Sequence, residues 1–176
     1  MKYLEIRRHA ERCKPGQHLN QAGVSMARRV GLSMGPFSRV ITSTVPRAFE
    51  TAIAMGFAVD EQREALAMLG PGVEEEVAWD AGFGPFGEAF CRQNAVFRFG
   101  NALFHDWLAC LELVPEQQSM LIITHGGLVE AGAVAAFPNG EHARWSGPCG
   151  YCEGVRLEFD GQNCTGIHLL RVPESE

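Results

Sequence analysis

The sequence lacks an excess of basic residues and lacks an uninterrupted hydrophobic run. Its 176 residues include 15 lysines and arginines against 21 aspartates and glutamates, which gives a formal net charge of −6. Proteins that bind duplex nucleic acid usually carry the opposite balance, so we expect no nucleic acid partner. The most apolar stretch, residues 120–137, is interrupted by Thr124-His125-Gly126-Gly127 and by Glu130, which makes it a poor membrane span. We therefore expect no membrane association.

Export signals, internal repeats and low-complexity tracts are also missing from the sequence. Residues 1–9 turn polar too early for a signal peptide, so the cytoplasm is the expected location. The six cysteines fit that expectation as reduced thiols. With 46% hydrophobic and 20% charged residues, the composition is that of a globular protein, and the length fits one domain spanning residues 1–176.

Segments with strand patterns alternate with segments with helix patterns along the chain. We predict strands at residues 3–7, 39–42, 120–123, 155–159 and 167–171. We predict helices at 20–33, 45–55, 88–113 and 128–137, and a long surface loop over 70–85. This order predicts an α/β fold, a three-layer sandwich with a mostly parallel central sheet and helices on both faces.

Polar residues of unusual type follow three of the predicted strands. Arg8-His9, Thr42-Ser43 and Thr124-His125 each end a strand. Ligands of open α/β sheets bind beyond the carboxyl ends of the strands. We therefore expect these side chains to lie together at one edge of the sheet.

The residue types at this edge suit phosphate chemistry, although each has an ordinary alternative. A neutral His9 is a competent nucleophile toward phosphorus, and Arg8 offers a planar fork for phosphate oxygens. Arg47 lies in the first turn of a helix, where a cation is unfavourable unless an anion binds there or its side chain points away. His125 either donates a hydrogen bond to a phosphoryl group or simply ends a strand.

Four motifs occur in an order and at a spacing typical of one family: Arg8-His9-Ala10-Glu11, Leu19-Asn20-Gln21-Ala22-Gly23, Ser43-Thr44-Val45-Pro46-Arg47-Ala48 with Thr51-Ala52, and Thr124-His125-Gly126-Gly127. Together they resemble the motifs of the histidine phosphatase superfamily, also called phosphoglycerate-mutase-like. Ala10 replaces the family's usual glycine, and the usual proline of the third motif is displaced to Pro46. The resemblance covers residues 1–137.

The resemblance implies a phosphatase that needs no metal and no cofactor. His9 would be the nucleophile and would become phosphorylated, while Arg8, Arg47 and His125 would form the phosphate pocket around it. The partner would be a phosphorylated small molecule or a protein bearing phosphohistidine. The short chain and the brief segment between His9 and Leu19 are similar to the small SixA-like phosphohistidine phosphatases and unlike the glycolytic mutases.

One feature of the family is missing at its usual place. Many members carry a glutamate as general acid in the segment after the second helix, but Leu66-Ala67-Met68-Leu69 contains no carboxylate. Glu74 is the first downstream candidate for this acid; Glu75, Glu76 and Asp80 follow it. Two readings stay open: a phosphatase acting through His9, or a non-catalytic phosphate-binding protein of the same fold.

The spacing of Cys149 and Cys152 allows a redox pair or half of a zinc site. No second pair with this spacing occurs in the sequence, and the motif does not open a helix after a strand. The alternative is two thiols in a turn that precedes a strand.

Overall fold

The computed structural model describes residues 1–173 of the chain. The strands are β1 (Lys2–Arg8), β2 (Arg39–Ser43), β3 (Glu61–Arg63), β4 (Ser119–Thr124), β5 (Gly154–Asp160) and β6 (Asn163–Leu170). The helices are α1 (Gln21–Gly31), α2 (Pro46–Ala54), α3 (Val73–Glu76), α4 (Phe83–Cys91), α5 (Ala95–Glu112) and α6 (Leu128–Ala136). Two short 3-10 turns, Glu64–Leu66 and His142–Trp145, complete the regular structure.

The strands form a single mixed sheet in the order β3-β2-β4-β1-β5-β6. Strands β3, β2, β4 and β1 run parallel to one another. Strand β5 is antiparallel to β1, and β6 is antiparallel to β5. The β1–β4 register places Arg8 opposite Thr124, so the residues that follow these two strands emerge side by side. The predicted α/β fold with a mostly parallel sheet is confirmed.

The side chains of the central strands alternate between two apolar layers. Leu4, Ile6 and Ile122 contribute to the core beneath α5 and α6, which supply Trp107 and Val129 among others. The opposite face packs against α1 and α2, through a cluster that contains Leu121, Ile123, Ala27, Ala48 and Ala52. Burial of both faces explains the unbroken apolar run of β4. The packing on both faces also holds in place the edge of the sheet at which the strands end.

The predicted helix over 88–113 is wrong in its extent, because the structure holds two helices there. Gln93 adopts a left-handed conformation with φ of 58° and ends α4. The carboxylate of Glu76 accepts hydrogen bonds from the backbone N–H groups of Ala95 (2.7 Å) and Val96 (3.1 Å). These N–H groups have no partner within α5, so a distant acidic side chain starts the new helix.

The predicted loop over 70–85 is also partly wrong. It contains the single turn α3, and α4 begins within it at Phe83. Pro85 lies in the first turn of α4, where the missing N–H removes no helical hydrogen bond. The short edge strand β3 was not predicted, since three half-exposed polar residues give no apolar signal.

Within residues 1–173 no helix has the length and apolar character needed to cross a bilayer.

Candidate active site

A cavity of about 480 Å³ opens at the carboxyl edge of the parallel strands, as predicted. All five candidate residues of the sequence, Arg8, His9, Arg47, Glu74 and His125, contribute to its lining. The remaining lining residues come from five stretches of the chain: Arg12 and Lys14; Ala67, Met68 and Leu69; Trp79; Gly126 and Leu128; and Tyr151. The structure therefore brings the separate motifs together around one space.

The ring of His9 is held by a hydrogen bond at each nitrogen. Nδ1 lies 2.7 Å from the carbonyl oxygen of Ala10, and Nε2 lies 2.9 Å from Nε of Arg47. A carbonyl accepts and a guanidinium donates, so Nδ1 carries the proton and Nε2 presents its lone pair. His9 is thus in the neutral tautomer whose unprotonated nitrogen is next to an arginine.

Burial is the main reason that His9 stays neutral. Burial is the largest cause; the hydrogen bond to Ala10 raises the pKa of His9, whereas His125, Arg47 and Arg8 lower it. Together these effects lower the pKa of His9 from 6.5 to about 2. Burial and the same arginines also lower the pKa of His125 to about 3. Both rings are therefore neutral at physiological pH.

We expect an NMR titration of ¹⁵N-labelled protein to show both rings neutral from about pH 8 down to about pH 5. The same histidines in urea-unfolded protein serve as the control and should titrate near the ordinary value of 6.5. Because the unfolded chain binds more protons below that value, the free energy of unfolding should fall as the pH drops below 6.5. A midpoint near 6.5 for either folded ring would contradict this picture.

His125 is oriented by Ser43, which ends the neighbouring strand. Its Nε2 lies 2.8 Å from Oγ of Ser43, and that oxygen accepts a hydrogen bond from the backbone N–H of Val45 (3.1 Å). The Ser43 hydroxyl proton is then directed to Nε2, so the imidazole proton is on Nδ1. Nδ1 is buried and has no partner among the described residues. The ring of His125 lines the cavity, and its centroid lies 5.1 Å from the ring centroid of His9.

Two aromatic rings hold the guanidinium of Arg8. Its Cζ lies 4.5 Å from the ring centroid of Tyr151 and 5.1 Å from that of Trp79, and Nη1 donates to the carbonyl of Cys149 (2.9 Å). Such contacts fix a planar cation without neutralising its charge. Trp79 also covers Gly126, where a Cβ atom would lie 2.9 Å from the indole ring. Glycine at this position lets the aromatic wall approach the loop that carries His125.

Arg47 and the end of β1 are joined through Thr51. The hydroxyl of Thr51 donates to the carbonyl of Arg47 (2.7 Å) and accepts from the backbone N–H of Ala10 (2.9 Å). Arg47 points into the cavity, where it contacts His9 and the side-chain oxygen of Gln17. Its position in the first turn of α2 is thus not that of a solvated arginine.

Ala10, the departure from the usual glycine, packs away from the cavity. It is fully buried in the cluster formed with Ala48 and Ala52 of α2. Its extra methyl group therefore leaves the space around His9 unchanged.

The sequence analysis missed the role of Glu130, which is fully buried in the first turn of α6. One carboxylate oxygen accepts from the N–H of Gly127 (2.7 Å) and the other from the N–H of Cys149 (2.8 Å). Glu130 therefore joins the loop after His125 to the turn whose carbonyl holds Arg8. Its acidic type within an apolar helix is the sequence signal that could have revealed it.

The turn at residues 149–152 forms a wall of the site through its backbone and Tyr151. The N–H of Cys152 donates to the carbonyl of Arg8 (3.1 Å), and the Tyr151 ring lies 5.9 Å from that of His9, centroid to centroid. The cysteines are unpaired, and burial raises the pKa of Cys149 and raises that of Cys152 to about 12. Burial thus disfavours the thiolate forms that redox or zinc chemistry uses.

Two histidines that could complete a zinc site with these thiols have other partners. His142 contacts the carbonyl of Phe137 (2.9 Å), and His168 contacts Glu158 (3.0 Å). Among the described residues, no group of three or more histidine, cysteine or acidic side chains is placed to hold a metal ion. This geometry fits the alternative in which Cys149 and Cys152 are two thiols in a turn that precedes a strand.

The four candidate acids differ in whether they line the cavity and in whether they have another role. Glu74 lines the cavity and is exposed, whereas Glu76 is occupied in capping α5. Glu75 and Asp80 are exposed and do not line the cavity. Glu74 is therefore the candidate acid that lines the same cavity as His9, and its role remains a prediction.

Similar folds occur among solved structures, although no family model and no curated protein matches the chain. A phosphoserine phosphatase from Entamoeba histolytica, solved with 3-phosphoglyceric acid, is 16% identical, covers 98% of each chain and gives a TM-score of 0.72. YhfR of Bacillus stearothermophilus is 21% identical over 96% of this chain and 95% of its own, with a TM-score of 0.66. A mycobacterial glucosyl-3-phosphoglycerate phosphatase is 15% identical over 95% and 96%, with a TM-score of 0.61. The likeness shows the fold: the chain has the α/β fold of these solved structures, in agreement with the fold that the resemblance of the four motifs implies.

Proposed function

We propose that this protein is a phosphatase that hydrolyses a phosphomonoester or a phosphohistidine through a phosphohistidine intermediate on His9. One observation carries the proposal. His9 is neutral with an unprotonated Nε2, and it lines a cavity together with Arg8, Arg47 and His125. The similar folds include proteins described as phosphatases, which supports the same class of reaction.

The first step forms a bond from Nε2 of His9 to phosphorus and breaks the bond from phosphorus to the leaving group. Arg47 donates to Nε2 in the ligand-free site, so it must turn toward the phosphoryl oxygens before His9 can attack. Arg8 and Nδ1–H of His125 complete the set of donors to those oxygens. Fixed donors of this kind stabilise the charge that spreads over the oxygens in the transition state.

The second step returns the enzyme to its starting form. Water attacks phosphorus, the bond from phosphorus to Nε2 breaks, and one water proton passes to the Glu74 carboxylate, or to solvent, as orthophosphate forms. His9 keeps its proton on Nδ1 throughout, because the carbonyl of Ala10 accepts it. The arginines also focus an anionic substrate into a protein whose net charge is negative.

Glu74 is the proposed general acid for ester substrates, and a leaving-group series tests both this role and the activity itself. With chelator present, we expect Glu74→Gln to slow hydrolysis of an alkyl phosphate about 100-fold and to change hydrolysis of p-nitrophenyl phosphate little. The good leaving group needs no proton, whereas an alkoxide does. Glu75→Gln is the matched control, because Glu75 is next to Glu74 in the chain but does not line the cavity.

Equal loss on both substrates would show that Glu74 acts in some way other than proton donation. Wild-type protein that binds orthophosphate but turns over neither ester, nor a phosphohistidine peptide, would support the alternative of a non-catalytic phosphate-binding protein. That alternative is favoured by one observation: Ala67, Met68 and Leu69 line the cavity where the family's usual acid would stand.

A further inference from the structure

A second cavity, of about 420 Å³, lies on the side of the sheet that α1 covers. It shares no lining residue with the candidate active site. Three arginines line it: Arg7 from β1, Arg29 from α1 and Arg171 from the segment after β6. The other lining residues are Val30, Ser33, Val172 and Pro173. Three guanidinium groups and no carboxylate, among the described residues, thus surround one space, which favours an anionic ligand.

Arg7 is a buried part of this cavity, with 7% of the residue exposed. Its Nε donates to the carboxylate of Glu5 (2.5 Å), and its Nη1 donates to the carbonyl of Cys152 (2.7 Å). Neither contact uses Nη2, so the two N–H groups of that nitrogen are available to a ligand in the cavity.

Arg171 is held in one orientation by four acceptors. Its Nη1 donates to the carbonyl of Pro148 (2.9 Å) and to the carboxylate of Glu153 (2.8 Å). Its Nη2 donates to the carbonyls of Trp145 (3.1 Å) and Gly147 (3.0 Å). The Nε–H group is outside these contacts. A side chain that is already ordered loses little entropy when a ligand binds.

Arg29 brings the charge that makes the cavity positive. Glu5 pairs with Arg7 and Glu153 pairs with Arg171, so the third arginine leaves one positive charge in excess. The dipole of α1 alone favours a cation in its last turn, which also holds Arg28. The dipole does not explain why the side chain of Arg29 lines the same cavity as two other arginines.

The same arginines hold a wall of the candidate active site. Arg7 and Arg171 together bond the backbone of the segment 145–152. In this segment the carbonyl of Cys149 accepts from Nη1 of Arg8 (2.9 Å). An anion that binds Arg7 and Arg171 therefore restrains the turn that positions Arg8.

We propose that this cavity is a second anion site, where Arg7, Arg29 and Arg171 bind a small carboxylate or phosphate and thereby restrain the turn beside the active site. The apolar lining residues leave room for a short carbon chain on the ligand. The inference does not depend on the proposed reaction at His9.

NMR of ¹⁵N-labelled protein tests the site with malonate and with orthophosphate, at an ionic strength kept constant with sodium chloride. We expect saturable shifts of the backbone amides of Ser33 and Val172. Arg29→Gln should weaken binding at these two amides about 10-fold or more. Arg29 is exposed, so its replacement should leave the fold intact. The amide of Gly126 reports orthophosphate at the candidate active site separately and should respond equally in this variant.

Arg28→Gln is the matched control, because it removes the same charge from the same turn of α1 but lines the groove between α1 and α2. It should leave binding within about twofold of wild type. Shifts that sodium chloride alone reproduces, or that keep their midpoint in Arg29→Gln, would overturn the site. Equal weakening by Arg28→Gln would overturn it as well, since only the net charge would then matter.

Hydrogen exchange tests the restraint of the turn. The backbone N–H of Cys152 donates to the carbonyl of Arg8 (3.1 Å). With malonate bound, we expect this N–H to exchange about threefold more slowly in wild-type protein, but not in Arg29→Gln. Unchanged exchange in malonate-saturated wild type would overturn the restraint of the turn.

The chain itself offers a second source of carboxylates. Glu174 and Glu176 follow Pro173 in the sequence, outside the described residues. If either of them binds the arginines, malonate competes with it and should bind more tightly to Glu174→Gln/Glu176→Gln protein; equal affinity identifies a free anion as the ligand. Weaker binding would contradict an arginine site, because the variant removes only negative charge.

Discussion

Replacing His9 with alanine is expected to lower kcat for p-nitrophenyl phosphate at least about 1000-fold. The substrate has a good leaving group and needs little proton donation, so the loss reports the nucleophile itself. His125, the other imidazole that lines the cavity, does not replace it, because Nε2 of His125 is engaged with the hydroxyl of Ser43. Binding of orthophosphate should persist, since Arg8, Arg47 and His125 remain.

The matched control is His18→Ala, which removes an exposed imidazole that contacts Glu50 outside the cavity. We expect this variant to retain wild-type kcat, and both variants to unfold at nearly the wild-type temperature. Activity that survives in His9→Ala would mean that another group attacks phosphorus. Loss of orthophosphate binding together with activity would mean that His9 mainly shapes the pocket.

Replacing Glu130 with alanine is expected to reduce the free energy of unfolding by about 3 kcal/mol. The substitution leaves a cavity and two buried N–H groups, those of Gly127 and Cys149, without acceptors. It also frees the carbonyl of Cys149 to move, and that carbonyl holds Nη1 of Arg8. We therefore expect weaker orthophosphate binding and a higher KM, by about 10-fold, in protein that is still folded.

Glu130→Gln separates positioning from simple loss of stability. Its amide oxygen can accept one of the two N–H groups, while its NH₂ group meets the other donor. It should recover part of the KM defect as well as part of the stability, whereas Glu88→Ala, at an exposed position on α4, should change neither. If Glu130→Ala lowers only the unfolding temperature and leaves KM and orthophosphate binding unchanged at low temperature, Glu130 does not position Arg8.

The sheet and its functional edge could be predicted because they depend on local patterns. Apolar runs identify β1, β2 and β4, and the residues directly after them, such as His9 and His125, must emerge at one edge. The cap of α1 is equally local: Asn20 accepts from the N–H of Gly23 at 2.7 Å. In each case residues close in sequence decide the structure.

The parts that the sequence did not reveal depend on contacts between distant residues. Glu76 begins α5 from 19 residues away in the chain, and Glu130 accepts from Cys149, also 19 residues away. Trp79 and Tyr151 stack on Arg8 from two separate loops. No periodicity or motif marks such partners, because their role follows from where the chain returns to the sheet edge.

The central claim is that His9 becomes phosphorylated during turnover. Wild-type protein mixed with p-nitrophenyl phosphate and quenched in alkali within the first turnovers should gain the mass of one phosphoryl group, on the peptide that contains His9. A bond from phosphorus to an imidazole nitrogen survives alkali and is cleaved by acid, so brief acid treatment should remove this mass. Recovery of an acid-stable phosphoryl group, or of one on another residue, would contradict the mechanism. Failure to trap any phosphoenzyme while hydrolysis proceeds would contradict it as well, provided the quench is faster than dephosphorylation.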